Sequence, residues 1–95
     1  MGFYEWDPVK ALYNELRRGI SFDEAETVFL DRWRLMMPDD RHSTDKEARM
    51  ITIGWSGRGR LLGVITSWED GRRPRIISAR RATKRERDEY VRRRR

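Results

Sequence analysis

Apolar positions recur every three to four residues near the start of the chain. Val9, Leu12, Tyr13 and Leu16 fall at i, i+3, i+4 and i+7, the spacing of one helix face. Asp7 before Pro8 supplies an N-cap and a pre-set first turn, and Gly19 supplies a stop. The spacing therefore predicts a helix between them with that apolar face turned inward. Ser21-Phe22-Asp23-Glu24 has the form of a capping box and opens a second short helix that buries Ala25, Val28 and Phe29. Phe3 to Trp6 reads as a short strand before the first helix. Trp33 to Met37 reads as another, ended by Pro38.

Further on the period changes. Arg49 to Trp55 and Arg60 to Trp68 are rich in Ile, Val, Leu, Thr and Trp, and Ser56-Gly57-Arg58-Gly59 reads as the turn between two strands. Glu69-Asp70-Gly71 predicts a second hairpin, since Asp-Gly favours a type I′ turn. Pro74 to Arg80 is the next strand, with Pro74 at its start or on an edge because it has no N–H to donate. Thr83-Lys84-Arg85-Glu86 is a second capping box, opening a final helix that reaches Tyr90. The expected fold is α+β: two N-terminal helices, a small, mostly antiparallel sheet of about four to five strands, and one C-terminal helix, the helices lying on one face. Residues 1–91 form a single domain on this reading, and residues 92–95 a basic tail.

Composition sharpens the picture. The 95 residues allow one modest core. There is no cysteine, which excludes a disulfide framework and a thiolate zinc site. No apolar run has the length of a membrane span and no secretory segment follows Met1, so a cytoplasmic location is expected. Charge is sorted along the chain: residues 1–71 carry a net −3 and residues 72–95 a net +9. Nineteen of the 22 basic residues are Arg, the side chain that grips phosphate in a two-pronged fork. Arg75-Ile76-Ile77-Ser78-Ala79-Arg80-Arg81-Ala82-Thr83 places guanidinium groups at a strand end just before a helix N-terminus, a surface suited to RNA or DNA. Arg92 to Arg95 are expected to fray.

The candidate chemistry is sparse. His42 is the single histidine and lies among polar, turn-prone residues. A Ser-His-Asp triad has no support, scattered Asp residues lack metal-ligand spacing, and Gly57-Arg58-Gly59 is a tight turn without the Walker pattern. RNA cleavage demands less, because the substrate brings its own nucleophile, the 2′-hydroxyl. Histidine is the side chain suited to moving that proton near neutral pH, and Arg49, Arg75 and Arg80 could neutralise the phosphate. Lys10 and Tyr90 are further candidates for proton handling or phosphate contact. Plainer readings stand beside these: His42 as a solvated loop residue, Tyr90 as helix packing, Lys10 as the exposed side of the first helix.

The chain resembles the BrnT family of ribonuclease toxins of type II toxin–antitoxin systems. The resemblance runs through Trp6-Asp7-Pro8-Val9-Lys10, Asn14, Gly19-Ile20-Ser21-Phe22-Asp23-Glu24-Ala25, Phe29 and Asp31, then His42-Ser43, Glu47-Ala48-Arg49 and Ile53-Gly54. It ends in Arg75-Ile76-Ile77-Ser78-Ala79-Arg80, Ala82-Thr83, Glu86 and Tyr90. Arg17-Arg18-Gly19 departs from the Lys-His-Gly of many relatives, and a cation there still suits the helix C-terminus.

The resemblance implies a RelE-like fold and a metal-independent, cofactor-free ribonuclease that inhibits translation. It implies a cognate antitoxin, BrnA-like and DNA-binding, which covers the active face in a toxin–antitoxin hetero-oligomer and carries the complex to operator DNA. On this match His42, Arg49, Arg80, Lys10 and Tyr90 are the expected catalytic residues. Arg75, Ser78, Arg81 and Lys84 are the expected RNA contacts, with no metal and no membrane involved. The alternatives are a non-catalytic RNA- or DNA-binding module and a protein-docking subunit whose basic face meets an acidic partner.

Overall fold

The structure, a computed structural model, describes residues 2–94. Helix α1 spans Pro8–Arg18 and α2 Phe22–Thr27, followed by a 3-10 turn at Val28–Leu30. Strands β1 (Leu35–Pro38), β2 (Ala48–Trp55), β3 (Leu61–Trp68) and β4 (Arg75–Arg81) form one antiparallel sheet in sequence order, and α3 (Lys84–Arg93) closes the chain. The class is the expected α+β.

The helix signals act as expected. Asp7 accepts a hydrogen bond from the Val9 N–H, and Gly19 ends α1 at φ 70°. Thr83 and Glu86 complete a capping box at α3. At α2 only half of the box forms. Ser21 accepts from the Glu24 N–H, while the Glu24 carboxylate turns away to Arg60 and to the Ser56 hydroxyl. Two turn-level expectations fail. Phe3 to Trp6 contributes a single parallel bridge, Glu5 to Arg75, rather than a strand. Asp70 keeps a negative φ, so the Glu69–Gly71 turn is not type I′, and only Gly71 takes the left-handed conformation.

The larger correction concerns α1. Its apolar stripe faces outward: Val9 is 75% exposed, Leu12 58%, Tyr13 61% and Leu16 77%. The inward face is built from Ala11 and Asn14. Asn14 donates to the carbonyls of Ile20 and Ala79 and accepts from the Ala79 N–H, so its amide stands in for a neighbouring strand at the β4 edge. Turning Asn14 outward would leave the Ala79 N–H and carbonyl at this buried edge without their partner.

Antiparallel partners share a face. Leu62, Val64, Ile76 and Ala79 lie on one face and form a core with Ile20, Phe22, Ala25 and Val28. Each large side chain buried there contributes about 1.5–3 kcal/mol. Ile53, Leu61 and Tyr90 make a second core on the other face, under α3. The helices therefore cover both faces, not one as expected. Being short, α3 covers only the Ile53–Leu61 end. The far end of its face, around Arg49, Ser67 and Arg75, is left open.

Candidate functional site

Arg75 and Arg80 are five residues apart, an odd spacing that in a regular strand sends side chains to opposite faces. A β-bulge removes the conflict. β4 pairs Ile76 with Thr66 but Ser78 with Ile65, so Ile77 is an extra residue. After it, Ser78 and Arg80 return to the face that carries Arg75. By register that face also holds Arg49, opposite Ser67, which in turn is opposite Arg75. Bulges re-aim side chains in this way. Here one turns a scattered set of arginines into a single surface.

Arg49 and Arg75 flank a cleft of about 90 Å³ with Lys10, Asp7, Glu47, Ile76 and Ile77. Lys10 arrives from the first turn of α1, Arg49 from β2 and Arg75 from β4. The cleft has room for a phosphate group. Its two carboxylates are employed elsewhere: Asp7 caps α1, and Glu47 accepts from the Ser67 hydroxyl at 2.5 Å and from Arg49 Nε at 3.2 Å. The Ser67 bond above all, with Arg49 and Arg75 nearby, holds the Glu47 carboxyl below the usual range. The cations keep donors in reserve. Among the described residues the Arg49 terminal nitrogens have no hydrogen-bond partner, and Arg75 stands 3.7 Å from Glu69, too far for a hydrogen bond.

Arg80 is committed. Its two terminal nitrogens meet the two oxygens of Glu86 at 2.7 and 2.9 Å, a bidentate clamp between β4 and α3. Burial pushes the Glu86 carboxyl up, but Arg80 and the Thr83 N–H pull it further down, and its pKa is lowered. The clamp lies over Gly63, where an added Cβ would stand 2.8 Å from Arg80 Nη1.

His42 sits in the turn after β1, 64% exposed at its side chain. Its Nδ1 lies 2.9 Å from Oδ2 of Asp39. The turn is laced to β2. The Asp39 N–H donates to the Arg49 carbonyl, Ser43 donates to the Asp39 carbonyl, and the Arg49 N–H donates to Ser43. The imidazole is thus tied to the backbone of Arg49, at the open end of the sheet, although it does not line the cleft.

The remaining candidates are placed elsewhere. Tyr90 is 1% exposed, and its hydroxyl donates to Asp31 Oδ2 at 2.5 Å. Burial and that carboxylate push the phenol up to about 12. A sealed phenol already bonded to Asp31 does not fit the catalytic role expected of it. Ser78 lies in the groove between α1 and β4, beside Lys10. Arg81 pairs in register with Leu62 and so belongs to the opposite sheet face. Lys84 is exposed on α3 and paired with Asp88. Of the basic tail, Arg92 and Arg93 continue α3, and Arg95 lies outside the described residues.

Two partnerships at the site have no counterpart among the residues the sequence singles out: Asp39 with His42, and Glu86 with Arg80. The i, i+3 spacing of Asp39 and His42 was the available signal for the first. Nothing local announced the second.

No helix is long and apolar enough to cross a membrane among the described residues. No curated protein matches the chain closely enough to be compared with it. Residues 6–86 match the family model described as the ribonuclease toxin, BrnT, of type II toxin–antitoxin systems. That span takes in α1, the cleft, the Asp39–His42 turn and the Arg80–Glu86 clamp, and the chain belongs to this family of ribonuclease toxins.

Proposed function

We propose that the protein is a metal-independent endoribonuclease that cuts RNA at the open end of its sheet, inhibits translation by doing so, and is neutralised by its antitoxin. The observation that carries this reading is the convergence of Lys10, Arg49 and Arg75 from three elements on one cleft with room for a phosphate, with donors unspent. They hold the scissile phosphate and offset the charge that builds on it. The 2′-oxygen attacks phosphorus, the bond from phosphorus to the 5′-oxygen breaks, and a 2′,3′-cyclic phosphate and a 5′-hydroxyl result. His42 carries one of the two protons, from the 2′-oxygen or to the 5′-oxygen, with Asp39 fixing its ring, and solvent water carries the other. Arg80 acts as a positioning residue that locks β4 to α3. Ser78, Arg81 and Lys84 contact flanking RNA.

The antitoxin, BrnA-like and DNA-binding, covers this face and brings the complex to operator DNA. The excess of arginine in residues 72–95 supports that need for cover. The test is cleavage of a single-stranded RNA by purified protein in chelator, compared with Arg49→Ala and His42→Ala. Cutting by the intact protein that falls in both variants is expected. RNA binding without cutting would leave a binding module, and an RNA affinity insensitive to salt would leave a protein dock.

A further inference from the structure

The ridge on α1 is unexplained by catalysis. Val9, Leu12, Tyr13 and Leu16 stand in solvent at i, i+3, i+4 and i+7 on a helix fixed from behind by Ala11 and Asn14. Nothing in the fold gains from their exposure, and a contiguous exposed apolar stripe marks an interface. On the Tyr13 side the ridge descends into a groove between α1 and β4 bordered by Lys10, Arg17, Arg18 and Ile77. Among the described residues these three cations have no carboxylate partner; Arg17 instead donates to the Tyr13 hydroxyl and lies against its ring.

Charge decides the occupant. A second copy would bring its own Lys10, Arg17 and Arg18 to the same groove, like facing like. Backbone geometry narrows it further. Glu5 pairs with the β4 edge at Pro74 and Ile76, and Asn14 pairs with it at Ala79, so a strand cannot add there. What fits is a helix with apolar anchors at three- and four-residue spacing and acidic residues along one flank.

We propose that α1 is the seat of the antitoxin, which lays an acidic amphipathic helix along the Val9–Leu16 ridge and the neighbouring groove. Lys10 borders both the groove and the cleft. A partner seated on α1 therefore shields the edge of the cleft, and the apolar ridge supplies the hold. The existence of an antitoxin follows from the family; only the cleavage readout below rests on the function proposed above.

The test uses the full chain carrying Leu12→Gln and Leu16→Gln. Glutamine is a good helix former, and both positions are exposed, so the melting temperature is expected to stay unchanged. Titration calorimetry with the purified antitoxin of the same operon is expected to show affinity reduced about 100-fold. Arg17→Glu with Arg18→Glu is expected to weaken binding further and flatten its salt dependence. Cleavage by the free Leu12→Gln, Leu16→Gln protein is expected to persist and to escape inhibition by the antitoxin. Antitoxin affinity within about threefold of the unsubstituted protein would overturn the proposal. So would a toxin dimer, seen by sedimentation, that the leucine substitutions dissolve while antitoxin binding survives. If the free protein cuts no RNA, the catalytic reading fails, and the calorimetry still decides the docking site.

Discussion

Asp39 Oδ2 and His42 Nδ1 lie 2.9 Å apart, three residues from one another in a turn pinned to the backbone of Arg49. A carboxylate at Nδ1 makes that nitrogen the donor and leaves Nε2 free to take or give a proton toward substrate. Asp39→Asn offers an amide that can donate to Nδ1 and so favours the wrong tautomer. Cleavage is expected to fall at least 10-fold with RNA affinity kept, measured by single-turnover gel assay beside a binding titration. Equal loss of both would make the pair a fold contact only.

Phosphate contacts leave a signature in salt. Arg49 and Arg75 share the scissile phosphate, so changing either to alanine is expected to lower the slope of log affinity against log salt by at most about 0.7–1. Fluorescence anisotropy with a cleavage-resistant RNA measures it. Arg58→Ala, in the turn between β2 and β3 at the other end of the sheet, is expected to leave the slope unchanged. Identical slopes for all three variants would place RNA elsewhere.

Tyr90 is expected to be a structural residue. Tyr90→Phe removes the hydroxyl from Asp31, whose carboxylate keeps the N–H groups of Trp33 and Trp55. The loss is about 1–3 kcal/mol in denaturant unfolding, with cleavage by the folded variant retained. In an alkaline absorbance titration the phenol is expected to ionise near its raised value of about 12. A folded pKa above the unfolded one gives stability that is present below the ordinary tyrosine range and lost as pH rises through the raised value. Abolished cleavage in a stable Tyr90→Phe would return the residue to the active site.

The carboxylates act at the other end of the scale. Arg60, through its hydrogen bond, lowers Glu24; the Ser67 hydroxyl lowers Glu47; and Glu86, despite its burial, is lowered by the Arg80 fork. Between the ordinary carboxylate range and these lowered values the unfolded chain binds more protons than the folded one. Stability is therefore full above that range and drains away as pH falls through the lowered values. Melting temperatures are expected to fall as pH is lowered through the ordinary carboxylate range and below it. Glu86→Gln is expected to lower the plateau and soften the drop. A melting curve flat across that window would contradict the clamp.

What the sequence made legible were the local signals. The Asp7-Pro8 start, the Gly19 stop, the Thr83–Glu86 box and the Ile-, Val- and Thr-rich strands each depend on neighbours within a few residues. The reading failed where distant groups decided. The inward face of α1 carries Asn14, whose partner Ala79 lies 65 positions away. The common face of Arg75 and Arg80 was set by an extra residue at Ile77 that is visible only against β3. Glu24 and Glu86 both read as capping residues, yet each is also claimed by a distant or cross-element arginine. Strand period predicts alternation; it does not announce the bulge that suspends it.

The most direct measurement is the chemistry of the RNA ends. Purified protein in chelator is incubated with a single-stranded RNA, and the fragments are weighed by mass spectrometry. The account predicts 5′ fragments ending in 2′,3′-cyclic phosphate and 3′ fragments beginning with a 5′-hydroxyl, both suppressed about 100-fold or more in His42→Ala. Undiminished cutting by His42→Ala, or fragments bearing 5′-phosphates, would contradict it.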